Sequence, residues 1–77
     1  MDEVKDRALV RLGENVRKCR DEHGISQEEL AHRAGLDRTY IGGVERGERN
    51  PTILSSLKIS AALGVSLGEL VEGVKGE

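Results

Sequence analysis

The chain has 77 residues, 34% of them charged and 36% hydrophobic, with a formal net charge of −2 and one aromatic residue, Tyr40. A chain this short holds one domain and buries only about 60% of the surface its unfolded form exposes. Such a domain has no room for the substrate-sized pocket of most enzyme folds, so a catalyst is not expected, and no cofactor or small-molecule ligand is expected either. Cys19, the only cysteine, excludes an intrachain disulfide and fits a reducing compartment. No stretch approaches the ~18–20 apolar residues of a membrane span. The acidic start Met1-Asp2-Glu3 is not that of a signal peptide, and the expected location is the cytoplasm.

The apolar periodicity predicts five helices, over about 2–22, 26–34, 37–46, 52–63 and 66–73, within one domain spanning 1–77. In the first, Val4, Ala8, Leu12, Val16 and Cys19 recur at helical steps. Gly13 interrupts the pattern at a cost of roughly 1 kcal/mol relative to Ala, and Gly24 ends it. Ser26-Gln27-Glu28-Glu29 is a Ser-x-x-Glu capping box that opens the second helix. Leu30, Ala31 and Ala34 face inward, and Gly35 closes the helix. Asp37 is the expected cap of the third helix, which Gly47 ends. Glu48-Arg49-Asn50-Pro51 is a loop, and Thr52 caps a fourth helix carrying Ile53, Leu57, Ile59, Ala62 and Leu63. Ser66-Leu67-Gly68-Glu69, a second capping box, starts the fifth, which carries Leu67, Leu70, Val71 and Val74. No strand pattern, repeat or low-complexity tract occurs, so the fold class is all-α: a compact five-helix bundle.

The second and third helices are joined by almost nothing beyond Gly35-Leu36. Two short helices so linked cross at roughly 90–120°, as in a helix-turn-helix. With the third helix projected at about 100° per residue, Arg38, Gly42, Arg46, Thr39 and Gly43 share one face. Ile41, Val44 and Glu45 share the other. The first face has the chemistry of a major-groove reader: Arg bonds guanine O6 and N7 bidentately, and Thr meets a base edge or a thymine methyl. The two glycines let a helix backbone approach a surface closely, or are tolerated costs.

The run from Ser26 to Gly47, SQEELAHRAGLDRTYIGGVERG, resembles the helix-turn-helix of the Cro/phage-repressor (Xre-like) family. The resemblance continues through Asn50-Pro51-Thr52 and Ala62-Leu63-Gly64-Val65, over roughly residues 9–72. Leu36-Asp37-Arg38-Thr39-Tyr40-Ile41, with Gly43, Glu45-Arg46 and Arg49-Asn50, is similar to the controller proteins of restriction–modification systems. The resemblance implies a lambda-repressor-like DNA-binding domain. It implies base contact by Arg38 and Thr39, and by Gly43 through backbone alone. Gln27, at the start of the second helix, matches a position that bonds a DNA phosphate, and Tyr40, Arg46, Arg49 and Asn50 match positions that hold the DNA backbone or bases nearby. Arg20 and Glu45 match a structural ion pair tying the first helix to the third. Gly42 departs from the controller pattern, where serine is common.

His23 and His32 are expected at the surface, Cys19 in the core, and no His/Cys/Asp/Glu set has metal-ligand spacing. Leu67, Leu70 and Val71 are the candidate dimer interface. The reading is a homodimeric, sequence-specific DNA-binding transcriptional regulator of bacterial or phage origin, with double-stranded DNA and a second copy as partners. A protein-interaction module, antitoxin-like or bridging, is the alternative; it calls for a large exposed apolar patch rather than a basic third helix.

Overall fold

A computed structural model describes residues 6–76. Five helices follow one another: α1 (Arg7–Glu22), α2 (Gln27–Ala34), α3 (Arg38–Glu45), α4 (Ile53–Leu63) and α5 (Leu67–Leu70). Among the described residues there is no strand, and no helix is long and apolar enough to cross a membrane.

Short polar side chains set most of the starts. Asp6 has extended backbone and its carboxylate accepts the Ala8 N–H at 2.8 Å, so α1 begins at Arg7, and positions 2–5 of the expected helix lie outside the described residues. Val4, the first member of the expected stripe, lies outside the described residues. Ser26 Oγ accepts the Glu29 N–H at 3.0 Å. Only that half of the box closes, because the Glu29 carboxylate takes Arg33 Nε at 2.8 Å instead. At Ser66 both halves close. Asp37 adopts the backbone of a cap without donating its side chain to the task. Thr52 Oγ1 accepts the Ser55 N–H at 3.0 Å.

The turn between α2 and α3 depends on Gly35, in the left-handed region at φ 69°, where a side chain is strained. The Leu36 N–H then reaches back to the Ala31 carbonyl at 2.9 Å, and α3 leaves across α2. Helix α3 packs against α1 and α2, α2 also against α4, and α5 against α4 and α1.

Leu12, Val16, Leu30, Ala31, Ile41, Val44, Ile59, Leu63 and Leu70 form one buried core, with Cys19, Leu36, Tyr40 and Leu67 packed on its edge. No aromatic ring fills its centre, and close helix approach replaces bulk. Gly13 shows how: a β-carbon there would fall 2.5 Å from the Glu45 carbonyl oxygen and would overlap that of Val44. The expected apolar face of α4 is only partly inside, since Ile53 and Leu57 project into solvent along with Leu54.

The fifth helix ends at Leu70, three residues short of expectation. Its terminal carbonyls are claimed by α1: Asn15 Nδ2 donates to Leu70 O at 2.9 Å and Glu72 O at 2.8 Å, and Arg11 Nε donates to Glu72 O at 3.1 Å. Residues 71–73 form a turn under these bonds.

Candidate nucleic-acid interface

Helix α3 divides as its residue pattern implies at the apolar end. Ile41 and Val44 are buried in the core, whereas Arg38 and Thr39, at its N-terminal end, are exposed. Arg46, Arg49 and Asn50 follow at its C-terminal end and in the next loop, also exposed. Tyr40 lies between the two environments, half-buried against the core edge. The first turn of α3 therefore offers a guanidinium, a hydroxyl and part of a phenol ring from one rigid support.

The rigidity has an electrostatic source behind the helix. Arg20 on α1 meets Glu45 through two bonds, Nε to Oε2 at 2.6 Å and Nη2 to Oε1 at 3.0 Å. The Glu45 side chain is only 3% exposed and that of Arg20 13%. Arg20 Nη1 also donates to the Ile25 carbonyl at 2.9 Å. Hydrogen bonding to Glu45 pushes the Arg20 guanidinium above its ordinary range, against a smaller opposing effect of burial. Gln27 completes the group, its Nε2 donating to Glu45 Oε1 at 2.9 Å. One carboxylate thus joins α1, the start of α2 and the end of α3. The Gln27 side chain, expected at a DNA phosphate, is engaged inside the protein, an arrangement for which its sequence position gives no signal.

The glycine pair of α3 is not an open backbone surface. Gly42 and Gly43 are buried, each beneath an arginine from further along the chain. A β-carbon on Gly42 would lie 3.1 Å from Arg46 Nη1 and 3.5 Å from Gln27 Oε1. One on Gly43 would lie 2.6 Å from Arg49 Cγ. Arg49 continues to Tyr40, its guanidinium carbon 5.7 Å from the ring centroid, within cation–π range. Arg46 Nε also pairs with Glu48 Oε1 at 2.9 Å, which puts an acid beside the basic cluster. Gly43, expected at the base edges, is therefore covered by Arg49.

The three candidate dimer residues separate. Leu70 is fully enclosed in its own core and has no surface to offer a second copy. Leu67 is half-buried against the same core, and Val71 alone is exposed, at 37%. The larger apolar surface is on α4: Ile53 at 69%, Leu54 at 64% and Leu57 at 43%. Cys19 lies at the core edge, where burial first, then Glu22 and Glu69, push its thiol pKa up. His23 and His32 are exposed.

The helix-turn-helix family profile matches residues 16–70. The control protein C.SmaI of Serratia marcescens is 47% identical over 68 residues, covering 86% of this chain and 81% of that protein. The crystal structure of the restriction–modification controller protein C.AhdI from Aeromonas hydrophila superposes with a TM-score of 0.79 at 48% identity, covering 80% of this chain and 94% of that one. The controller protein C.Esp1396I, solved as a tetramer with its natural 35-base-pair operator, gives a TM-score of 0.78 at 40% identity over 86% of this chain and 91% of that one. With its left-handed Gly35 turn, its exposed Arg38-Thr39 pair and these relatives, the chain belongs to the helix-turn-helix family and is similar to the controller proteins of restriction–modification systems.

Proposed function

We propose that the chain acts as a single helix-turn-helix domain, a cytoplasmic transcriptional regulator that binds a near-palindromic operator as a homodimer. Helix α3 enters the major groove, with Arg38 and Thr39 reading base edges and Tyr40, Arg46, Arg49 and Asn50 holding the backbone nearby. The observation that carries this reading is the exposed Arg38-Thr39 pair on a helix clamped from behind by the buried Arg20–Glu45 pair. Similarity to control proteins supports regulation of restriction–modification genes, and it supports a binding role rather than catalysis.

The apolar face of Ile53, Leu54 and Leu57 supports a second copy as the partner. Leu57 lies four residues after Ile53 and three after Leu54, so it neighbours both on the helix surface, and a small domain gains burial by pairing. A twofold dimer places its two α3 helices about 34 Å apart, one DNA turn.

The test is enrichment of a randomised duplex pool by the protein, then gel-shift titration of Arg38→Ala on the enriched and a scrambled duplex. Arg38→Ala loses roughly 1–3 kcal/mol on the enriched duplex and much less on the scrambled one. Equal loss on both rejects Arg38 as a base reader. A pool that never enriches rejects sequence-specific DNA binding and favours a protein partner on the apolar face of α4.

A further inference from the structure

The glycine pair of α3 is covered by the protein's own arginines, and the Gly43 half of that arrangement has a specific shape. The stem of Arg49 runs along the helix backbone at Gly43: a β-carbon there would meet Cγ at 2.6 Å, Nε at 3.4 Å and Cδ at 3.5 Å. Tyr40, one turn earlier on the same helix, receives the guanidinium on its ring, 5.7 Å from the centroid. The loop that delivers Arg49 is pinned to the same residue, since the Glu48 N–H donates to the Gly43 carbonyl at 2.9 Å. The missing side chain, the ring and the pinned loop together define a seat for one long side chain.

We propose that Gly43 is a positioning residue: it contributes to DNA recognition by seating Arg49 against Tyr40, and not by bringing the helix backbone close to the bases. The proposal rests on the DNA-binding reading above. An arginine has large rotamer freedom to lose when it meets a ligand. Holding it on the recognition helix before DNA arrives removes part of that loss from binding. Any side chain at position 43 closes the seat and frees Arg49. The helix itself tolerates alanine, a better helix former than glycine, because the obstructing atoms belong to a side chain in a loop and not to the backbone of another helix.

Two measurements on the full chain test this. Tyr40 is the only Phe, Tyr or Trp of the chain and its ring is the one that Arg49 meets, so an upfield ring-current shift of the Arg49 δ-methylene in NMR spectra reports the seat. The shift is expected in the unaltered protein and in Gly42→Ala, and is lost in Gly43→Ala with no fall in melting temperature. Absence of the shift in the unaltered protein, or its survival in Gly43→Ala, overturns the seat. On a duplex enriched from a randomised pool, Gly43→Ala weakens binding roughly two- to tenfold, the range that ordering one long side chain accounts for. In the Arg49→Ala background the same substitution changes nothing. Equal weakening in both backgrounds means that Gly43 acts through its own approach to DNA and overturns the positioning role. Failure to enrich any duplex removes the DNA-binding reading and this role with it, while the NMR shift still decides whether the seat exists.

Discussion

Gly13 on α1 and Val44 on α3 meet backbone to backbone, so closely that no β-carbon fits between them. This contact sets the separation of the two helices and so fixes α3 from behind. Gly13→Ala gains about 1 kcal/mol of helix propensity, but overpacking against an unyielding carbonyl costs typically ~1–3 kcal/mol or more. The net outcome is a less stable protein, seen as a lower midpoint in circular-dichroism melts. A midpoint at or above that of the unaltered chain contradicts the close approach.

Glu45 serves three elements at once, so its loss is expected to be severe. Glu45→Ala strands Arg20 beside the core, which costs roughly 3–5 kcal/mol. A domain of this size holds only about 4–12 kcal/mol in total. Gln27→Ala removes one bond to the same carboxylate and costs less, about 1.5–3 kcal/mol. Urea unfolding of both variants checks the order. The raised pKa of Arg20 fixes the sign with pH. Its contribution is complete below the ordinary arginine pKa and is lost only as pH rises through the higher folded value. Titration from pH 7 to pH 10 should therefore leave the stability difference between the unaltered protein and Glu45→Ala unchanged on the Arg20 side.

Leu54 is the residue with which to question the dimer. It is 64% exposed, so Leu54→Asp leaves the protomer fold intact and lowers the melting temperature only by what pairing contributed. Removing a leucine from a buried contact costs ~1.5–3 kcal/mol, or about ten- to a hundredfold in the dimer constant. Sedimentation velocity at graded concentration reads this as a shift towards monomer. Val71→Asp, at a less exposed site, serves as a comparison in the turn after α5. An unchanged association constant for Leu54→Asp excludes the α4 face.

Cys19 should be slow to react. Burial and the carboxylates of Glu22 and Glu69 hold its thiol above the ordinary range, and the thiolate is the reactive form. Iodoacetamide alkylation of the folded protein at pH 8 is expected to lag well behind that of the urea-unfolded chain. Its pH midpoint should lie above the ordinary thiol value. Equal rates in the two states would place Cys19 outside the packed edge.

The helix order was legible because the cues are local. Ser26, Thr52 and Ser66 cap within three residues of themselves, and Gly35 marks the turn. The pairing of Arg20 with Glu45 came through family likeness, since a gap of 25 residues has no period to betray it. What lay beyond reach was set by tertiary neighbours. Gly13 looks like a flaw in α1 until the α3 carbonyls arrive. Glycines 42 and 43 look open until Arg46 and Arg49 fold back over them. Leu70 and Leu54 are both leucines on short helices. The packing of α5 against α4 and α1 encloses one and leaves the other bare.

The bonds from Asn15 and Arg11 to the Leu70 and Glu72 carbonyls span 55 to 61 residues of sequence. They join an early helix to the last turn described, and Leu70 adds a large core side chain at the same place. During synthesis the first four helices emerge with that part of the core open and Asn15 waiting. The side of α1 that meets α5 reaches its final support only after residues 70–72 have been made. A nascent chain halted before them would carry α1 to α4 in full, yet would leave the core open where Leu70 belongs.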